Sequence, residues 1–356
     1  MVVQSSRFEI IRSAREFYSR LFQDMASARE SVLVQMYIVA EDEVGTEFAA
    51  LMRRKAEEGL RVELVYDSVG SFDTPSTFFD RMAQGGVKVT EHNPVNPNRV
   101  PGPFSIFRLI RRNHRKLAVI DNRIYYLGGM NIGEKFLNWE DITIRGEGNT
   151  ATVLASIFSE KERGARPPKV RELEGRRIQV CDSRRRFQNY PIKRMHLGAI
   201  NKARERIWIA QAYFIPRRKM MKALIHAARR GVDVRVIVPD NSDVLVADLA
   251  AWIPLRRLML HGVKTIRYTG AMLHSKFTII DDQWVTTGTA NLDSMSAYWN
   301  LETNLVIRDP EIAARFAGIF AEYEGKSRAV GPDEPAQRSW IVRLAGRLLY
   351  HYSWLL

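Results

Sequence analysis

The sequence predicts an α/β fold made of two similar halves, each a mixed, largely parallel sheet flanked by helices. Strand-like and helix-like segments alternate along the chain, and the order of these segments in the first half returns in the second. A hydrophobic content of 46% is typical of a globular protein and excludes disorder as a description of the whole chain. We expect a pseudo-two-fold axis to relate the halves, with a functional site between them.

Three segment types recur in the same order in both halves. They are an apolar β-rich segment, a helix, and an alternating strand that a glycine introduces and an aspartate ends. In order, these segments cover 27–38, 46–58 and 59–67 in the first half, and 202–215, 218–230 and 231–240 in the second. A further pair of segments, which begin at Gly86 and Gly262, precedes the polar motifs of each half.

Changes in composition set the expected boundaries. The halves are expected at 1–158 and 187–325, separated by a charged linker at 159–186 and followed by a basic amphipathic helix at 326–356. The N-terminus lacks the layout of a signal peptide, and the apolar stretch Val32–Ala40 is too short to span a bilayer. Any membrane contact is therefore expected from the side. The single cysteine, Cys181, allows no intramolecular disulfide.

One polar motif, H-x-K-x4-D, occurs once in each half. Its residues are His114, Lys116 and Asp121 in the first half, and His274, Lys276 and Asp281 in the second. An asparagine follows each motif at the same spacing, Asn131 in one half and Asn291 in the other. Because apolar β-prone residues separate Lys from Asp, each motif is expected on a strand, with His and Lys on one face. The Asp residues should then hold the site together rather than touch substrate.

These residue types suit an exchange of phosphodiester bonds. Imidazole can attack phosphorus when neutral and donate a proton when charged, and its ordinary pKa of about 6.5 makes both forms accessible. A double displacement needs one imidazole of each kind, which explains the two copies. The Lys and Asn side chains would orient and neutralise the phosphoryl oxygens. This scheme needs no metal or other cofactor, and none is expected.

The paired motifs resemble those of the phospholipase D superfamily, and the chain from about Ser5 to Asp309 is similar to bacterial cardiolipin synthases, in particular the shorter type without N-terminal membrane spans. The segments that carry the likeness, besides the two motifs, are Tyr213–Pro216, Gly288–Asp293 and Asn300–Asn304. The resemblance implies two phospholipase D-like halves and a phosphatidyl-histidine intermediate. It also implies that phosphatidylglycerol is the acceptor and cardiolipin the product.

The resemblance also suggests roles for single residues. It implies that His114 is the nucleophile and His274 the general acid and base, although the symmetry of the motifs leaves the reverse assignment open. Glu302 matches the acid that orients a catalytic His in the superfamily, and Asp141 is a looser match for its counterpart. The halves differ where Gly129 stands opposite Thr289, so any hydroxyl contact there would be one-sided.

Two apolar segments that also carry basic residues are expected to meet a membrane. The first lies just before the first motif, and the second is the C-terminal helix, whose basic residues form one stripe. The expected membrane-binding residues are Phe104, Phe107, Ile110, Arg111, Trp340, Arg343, Arg347 and Trp354. Packing of the C-terminal helix on the protein's own core is an equal alternative. Anionic phospholipids are the expected partners, at the cytoplasmic face of the bacterial inner membrane.

Three functions remain in competition. The surplus of 54 Lys and Arg over 40 Asp and Glu favours a polyanionic partner, which could be a lipid surface or nucleic acid. A soluble phosphodiesterase, nuclease or phospholipase D hydrolase could use the same motifs, and a non-catalytic lipid-binding protein could retain them. The apolar segments favour lipid, because a nuclease groove needs basic and stacking residues. No nucleic acid partner is therefore expected, and the identity of the phosphatidyl donor stays open.

Overall fold

The computed structural model describes residues 8–96, 107–158, 177–183, 190–334 and 340–351. The first half supplies seven of the described strands, and its elements are β1 (Phe8–Ile11), α1 (Ala14–Ala26), β2 (Ser31–Met36), α2 (Glu43–Glu57), β3 (Arg61–Asp67), α3 (Ser76–Gln84), β4 (Lys88–His92), α4 (Phe107–Ile110), β5 (Leu117–Ile120), β6 (Ile124–Gly128), β7 (Thr143–Glu147) and α5 (Asn149–Ala155). Their order across the sheet is β1-β7-β6-β5-β2-β3-β4.

The second half repeats this plan and adds elements at its C-terminal end. Its elements are β8 (Arg177–Asp182), α6 (Pro191–Lys202), β9 (Arg206–Gln211), α7 (Arg218–Arg229), β10 (Asp233–Pro239), α8 (Leu245–Met259), β11 (Lys264–Tyr268), β12 (Lys276–Ile280), β13 (Trp284–Gly288), α9 (Ser294–Tyr298), β14 (Thr303–Arg308), α10 (Pro310–Gly325), β15 (Ser327–Ala329) and α11 (Trp340–His351). The sheet order β8-β14-β13-β12-β9-β10-β11-β15 matches that of the first half, with β15 added at one edge. The predicted duplication is confirmed.

Each sheet is mixed, as predicted, but parallel pairs do not dominate either one. The parallel pairs are β2–β3 and β3–β4 in the first sheet, and β9–β10 and β10–β11 in the second. Every other pairing is antiparallel. Helices connect the parallel strands, whereas β5–β6 and β12–β13 are joined by tight turns that can only give antiparallel pairs. The turns begin at Asp121 and Asp281, both at positive φ.

Two predicted boundaries are wrong. Residues 177–182, which were expected in the linker, form β8 and pair with β14 along its whole length. The segment 326–356, which was expected to be one helix, opens with the short strand β15 on the edge of the second sheet. The amphipathic helix α11 begins only at Trp340. Both strands are short and polar, so the sequence alone does not indicate them. Each forms because it can pair with an edge strand of the second sheet.

The two sheets pack against each other through a shared core. This core joins strand residues of the first half, such as Leu33 and Leu127, to residues of the second, such as Phe277 and Leu305. The outer face of the first sheet is covered by α1, α2 and α3, and that of the second by α6, α7 and α8. Both faces of the central strands are therefore buried, which explains why these strands are apolar runs rather than alternating ones.

Helix α11 packs on α8. One part of its surface therefore packs on the protein's own core, which was one of the two expected arrangements. Gly346 allows the close approach, because a methyl group in its place would lie 2.8 Å from the carbonyl oxygen of Leu249. The side chains of Leu349 and Tyr350 contact the core of the second half. Leu344 and Leu348 remain about half exposed, at 47% and 53%. Among the described helices, none is long and apolar enough to cross a membrane.

Candidate active site

Each motif histidine is held by an acid from the other half of the chain. The His114 Nδ1 atom lies 2.9 Å from the Oε1 atom of Glu302, and His274 Nδ1 lies 2.6 Å from Asp141 Oδ2. All four side chains are buried. A carboxylate at Nδ1 holds the ring proton there, so that the Nε2 lone pair of each imidazole is left for chemistry. This crosswise pairing makes the site a joint product of both halves.

Backbone contacts place each histidine beside its acid. Asn113 and Leu301 form an isolated parallel bridge, and the His114 amide donates to the Leu301 carbonyl at 3.0 Å. The second site repeats this arrangement, with the His274 amide donating to the Glu140 carbonyl at 2.7 Å. Each histidine therefore reaches across the boundary between the halves through its main chain as well as its ring.

Both histidines lie just before their strands. Strand β5 begins at Leu117 and β12 at Lys276, so the expectation that each whole motif lies on a strand is wrong at its first residues. The Lys116 ammonium donates to the His114 carbonyl at 3.0 Å, and the Lys276 ammonium donates to the His274 carbonyl. Lys and His stay together through this contact instead of through strand alternation.

The four basic side chains act on one another electrostatically, which indicates one shared site. The charge of Lys276 lowers the pKa of His114 and of Lys116, and the charge of Lys116 lowers the pKa of His274. Such effects require charges that lie close together in a poorly solvated place. The prediction that the two motifs meet is supported by this coupling and by the crosswise acid pairs.

Burial is the largest cause of the pKa shifts at these groups. It lowers the pKa of His274 to about 4 and moves the pKa of His114 below its ordinary value. It also lowers the pKa of Lys116 to about 7. Burial alone would raise the pKa of Glu302, but its interactions with His114, Lys116 and Thr289 together outweigh burial and hold that pKa low. At neutral pH, before substrate binds, the site thus holds neutral imidazoles beside an ionised Glu302.

The surroundings of the two acids differ. Glu302 also accepts hydrogen bonds from the hydroxyl of Thr289 at 2.5 Å and from that of Ser296 at 2.7 Å. Among the described residues no hydroxyl donates to Asp141, and the position equivalent to Thr289 is Gly129. A methyl group at Gly129 would lie 2.2 Å from Asp141 Oδ1. The hydroxyl contact is one-sided, as the sequence difference predicted.

The motif aspartates lie at the far ends of their strands. Asp121 accepts hydrogen bonds from the backbone amides of 29, 30 and 31, where β2 begins. Asp281 accepts from the amides of 204, 205 and 206, where β9 begins. These contacts tie each motif strand to its neighbour, in line with the expectation that the aspartates support the site without facing it.

The two asparagines have different surroundings. Asn131 Oδ1 accepts a hydrogen bond from the Ile38 amide at 3.1 Å, so this side chain supports the loop after β2. Asn291 is only 5% exposed, and its Oδ1 atom accepts no hydrogen bond from the described residues. Both asparagines were predicted to contact substrate. Of the two, Asn291 has the unpartnered side-chain oxygen, whereas that of Asn131 is bound to the Ile38 amide.

Aromatic rings line the site, and the sequence reasoning missed most of them. The Tyr37 ring lies 4.8 Å from that of His114, and the Trp139 ring lies 5.0 Å from that of His274. The ring of Tyr213, which belongs to a segment that carries the family likeness, lies 6.2 Å from the His274 ring, and its hydroxyl donates a proton to Asp243. Tyr37 and Tyr213 occupy equivalent places after β2 and β9, a repeat that could have revealed both.

Two buried ion pairs flank His114 and were also missed. Arg112 pairs with Asp67, with the closest atoms 2.7 Å apart, and Arg115 pairs with Asp182 at 2.7 Å. Both arginines are almost fully buried. Arg115 stands between His114 and Lys116, so alternation along an extended segment directs it to the other face. Arg112 lies two residues before His114, and each arginine anchors the segment through its ion pair.

The expected membrane-binding residues are only partly described. Ile110 and Arg111 are half-buried, and Arg347 is exposed on α11. Phe104 and Trp354 lie outside the described residues, as do the side chains of Phe107, Trp340 and Arg343. Within the described ranges, no group of three or more His, Cys, Asp or Glu could hold a metal ion. Catalysis without a metal or cofactor stays a prediction.

A family model described as "Cardiolipin synthase, PLD-like domain" matches residues 21–161 and 197–323. Each matched range contains one of the two motifs. The cardiolipin synthase of Listeria welshimeri is 31% identical over 360 residues, which cover 96% of this chain and 74% of that protein. The cardiolipin synthase of Geobacillus kaustophilus is 28% identical over 359 residues, which cover 96% of this chain and 70% of that one.

A solved structure has the same fold. The phosphatidylserine synthase of Haemophilus influenzae Rd KW20 superposes with a TM-score of 0.78, covering 98% of this chain and 95% of that one at 13% sequence identity. At that identity the likeness concerns the fold alone. It extends over both halves, so the arrangement of the two sheets is shared.

Proposed function

This chain belongs to the family described as "Cardiolipin synthase, PLD-like domain", and we propose that it makes cardiolipin by transferring a phosphatidyl group to the free glycerol hydroxyl of phosphatidylglycerol. The observation that carries the proposal is the pair of His–acid contacts, His114 with Glu302 and His274 with Asp141, which the two halves supply crosswise. The family match gives the substrate class, and the site supplies the two imidazoles that the transfer needs. The nuclease alternative gains no comparable support.

In the first step, the Nε2 atom of neutral His114 attacks the phosphorus of the donor lipid. The bond between phosphorus and the headgroup oxygen breaks, a phosphorus–nitrogen bond forms, and His274 donates a proton to the leaving alcohol. Burial lowers the pKa of His114, which keeps this nucleophile neutral. The assignment of His114 over His274 as nucleophile follows the superfamily pattern.

The second step reverses the first with a new alcohol. His274 accepts the proton of the glycerol hydroxyl of phosphatidylglycerol while its oxygen attacks the phosphatidyl-histidine. The phosphorus–nitrogen bond breaks, cardiolipin forms, and His114 is restored. When two phosphatidylglycerol molecules react, the other product is glycerol.

A bound phosphodiester adjusts the protonation of the site. Burial lowers the pKa of His274 to about 4, so without a bound phosphodiester this imidazole would hold no proton to donate at neutral pH. The negative phosphoryl oxygens would raise this pKa and those of both lysines, because opposite charges favour the protonated forms. Lys116 and Lys276 would then neutralise the charge that develops in the transition state.

The proposed lipid surface lies beside the second-half motif. Val244, Leu245 and Val246 at the start of α8 are 41%, 69% and 39% exposed. The preceding residue, Asp243, accepts the hydroxyl proton of Tyr213, whose ring packs near His274. Leu344 and Leu348 are also exposed, on the helix α11 that packs on α8, and we propose that these side chains together contact acyl chains.

The proposed location is peripheral, at the cytoplasmic face of the bacterial inner membrane, and this face stays a prediction. Replacing Leu245 or Leu348 with Asp should weaken cosedimentation with phosphatidylglycerol vesicles. Turnover of the same lipid dispersed in detergent should change much less. Equal losses in both assays would contradict the proposed surface. Point substitutions test this surface more specifically than deletion of α11, because the deletion would also expose the surface of α8 that α11 covers.

The central test gives the purified protein phosphatidylglycerol vesicles and separates the products by chromatography. We expect cardiolipin and glycerol, whereas phosphatidic acid alone would assign the protein to the hydrolases. His114→Ala and His274→Ala should each reduce turnover by about 10³-fold or more. His226→Ala, on the exposed face of α7, is the matched control and should retain full activity.

A further inference from the structure

The equivalent helices α2 and α7 begin with opposite charges. Each follows the second strand of its half, yet α2 begins with the acidic run 41–43 and α7 with the basic run 217–219. Asp42 caps α2 by accepting the amide proton of Gly45, whereas no side chain caps α7. Basic charge at a helix N-terminus is intrinsically unfavourable, because that end already carries partial positive charge. An anion at the start of α7 would relieve it.

None of the three basic residues that begin α7 has an acidic partner among the described residues. Arg217 lies over the ring of Tyr298, with 5.5 Å between the guanidinium carbon and the ring centroid. Arg218 and Lys219 make no ion pair within the described ranges either. In the first half, the equivalent acid Glu41 is paired with Arg81. The positive charge at the start of α7 is therefore uncompensated by the described part of the chain.

A small cavity lies where α6, α7 and the loop after β13 meet. Its polar lining consists of Lys193, His196, Arg217, Lys219, Asn291, Asp293 and Tyr298. Lys193 donates to the Tyr298 hydroxyl at 2.7 Å, and its ammonium also lies 4.4 Å from the centre of that ring. The one acid, Asp293, accepts the Ser296 amide as the N-cap of α9 and forms no ion pair with the described bases. The lining thus carries a net positive charge.

An unpartnered polar atom in the lining points independently to a ligand. The Asn291 side chain is 5% exposed, and within the described ranges no group donates a hydrogen bond to its Oδ1 atom. Its counterpart Asn131 satisfies the same atom with the Ile38 amide. A buried amide oxygen without a partner is costly, and a bound molecule with a hydroxyl group would satisfy it.

The cavity adjoins the catalytic groups. Ser296, in the first turn of the helix that Asp293 caps, donates its hydroxyl proton to Glu302, which holds His114. Tyr213, whose ring lies near His274, precedes Arg217 by one short extended segment. A ligand in the cavity would lie next to the site where phosphorus is transferred.

We propose that this cavity binds the phosphodiester group of the second lipid, the acceptor phosphatidylglycerol, and that Arg217 and Lys193 are its anion ligands. The inference rests on the proposed function and assigns its acceptor subsite. The acceptor carries its phosphate one glycerol unit away from the hydroxyl that attacks, so an anion subsite beside the reaction centre would position that hydroxyl. Water and neutral alcohols gain nothing from this subsite, which makes it a basis for transfer over hydrolysis.

The test measures how the covalent intermediate divides between two acceptors. Phosphatidylglycerol vesicles are supplied with ethanol, and the ratio of cardiolipin to phosphatidylethanol is determined. Both products arise from the same intermediate, so this ratio isolates the acceptor step. We expect the ratio to fall about tenfold in Arg217→Gln, because a charge-assisted contact to the phosphate is lost, and further in the double variant with Lys193→Gln.

Arg218→Gln is the matched control, because it removes the same charge from a neighbouring residue that does not line the cavity. It should keep the wild-type ratio. An unchanged ratio in Arg217→Gln and in the double variant, or an equal fall in Arg218→Gln, would overturn the subsite. Failure of the wild-type protein to form either product would instead overturn the proposed function, so the two failures are distinguishable.

The source of the phosphate is tested by competition in wild-type protein. Soluble glycerophosphoglycerol, which carries the same diester without acyl chains, should inhibit cardiolipin formation more strongly than inorganic phosphate at equal concentration. Its inhibition should weaken about tenfold in Arg217→Gln. Stronger inhibition by inorganic phosphate would assign the cavity to free phosphate and contradict the acceptor subsite.

Discussion

The two halves carry the same motif in unequal surroundings. His114 is held by a carboxylate that also accepts two hydroxyl hydrogen bonds, from Thr289 and Ser296. His274 is held by Asp141, beside which Gly129 leaves no room even for a methyl group. Duplication therefore explains why two histidines are present, and the difference in their surroundings can explain how they take different parts. A more firmly held imidazole suits the residue that must carry the covalent intermediate.

The largest expected effect concerns the two acids. Glu302→Gln should reduce kcat by about 10² or more, because the imidazole loses the charge that fixes its tautomer. Asp141→Asn should also reduce kcat, but by less, since Glu302 organises more groups. Steady-state kinetics on dispersed phosphatidylglycerol would compare the two. A larger loss at Asp141 would reverse the proposed division of roles, and thermal unfolding would confirm that both variants are folded.

The pH dependence of kcat/KM should reflect the lowered pKa of Lys116. Burial lowers the pKa of Lys116 to about 7, so its ammonium is charged below that pH and neutral above it. Because kcat/KM reports on free enzyme, in which the His274 imidazolium needed for the first step loses its proton near pH 4, kcat/KM should already fall with rising pH. Loss of the Lys116 proton should make this fall steeper above about pH 7, by up to about a further tenfold per pH unit. The phosphodiester of phosphatidylglycerol does not titrate in this range. A constant kcat/KM between pH 7 and 9 would contradict the lowered pKa.

Much of the fold and site could be predicted from the sequence, because duplication supplies an internal comparison. The two motifs occupy equivalent positions in the internal sequence repeat, and so do Glu302 and Asp141. The repeat also shows where strands and helices alternate. Strand direction was predicted less well, since an apolar segment such as Leu117–Ile120 indicates a buried strand without indicating which neighbour it pairs with or in which direction.

The crosswise pairing could not be predicted from residue spacing. Whether His114 pairs with Glu302 or with Asp141 depends on how the halves pack, and no local pattern encodes that packing. Strand β8 was missed for a related reason, because its polar and charged residues become strand only when β14 offers an edge. Hydrophobic periodicity indicates helices and strands that bury one face. It does not indicate a strand that forms only by pairing with a strand distant in sequence.

A smaller effect is expected at the one-sided hydroxyl. Thr289→Val removes the hydrogen bond to Glu302 without changing the side chain's shape, and we expect kcat to fall about tenfold. Thr287→Val is the control, because Thr287 lies buried on β13, just before Thr289, and its hydroxyl has no hydrogen-bond partner among the described residues. Equal activity in Thr289→Val and wild type would show that the Thr289 hydroxyl does not contribute to the functional difference between the two halves.

The smallest effect on activity is expected at the motif aspartates. Asp121→Ala and Asp281→Ala each lose backbone hydrogen bonds to the start of a neighbouring strand, and we expect a loss of about 1–3 kcal/mol in unfolding free energy with near-normal kcat in the folded protein. Asp282→Ala, which removes only an exposed pair with Arg206, is the control and should change little. A large loss of kcat at unchanged stability would mean that the aspartates contact substrate.

The stability that Asp121 contributes also has a predictable pH dependence. Burial alone would raise its pKa, but the backbone hydrogen bonds outweigh burial and lower it below the ordinary 3.8. A carboxyl whose pKa is lower in the folded state stabilises it above the unfolded pKa, and this contribution is lost as pH falls through the folded pKa. The stability difference between wild type and Asp121→Ala should therefore be constant near neutral pH and shrink in acid.

Whether one imidazole from each half serves a single phosphorus atom is decided most directly by the covalent intermediate. Protein mixed with radiolabelled phosphatidylglycerol is quenched in alkali, which preserves phosphohistidine, and the labelled peptide is identified by mass spectrometry. The account predicts one labelled peptide, modified at His114, with the label absent from His114→Ala and formed far more slowly in His274→Ala. Label on both histidines at once, or on neither while cardiolipin still forms, would contradict it.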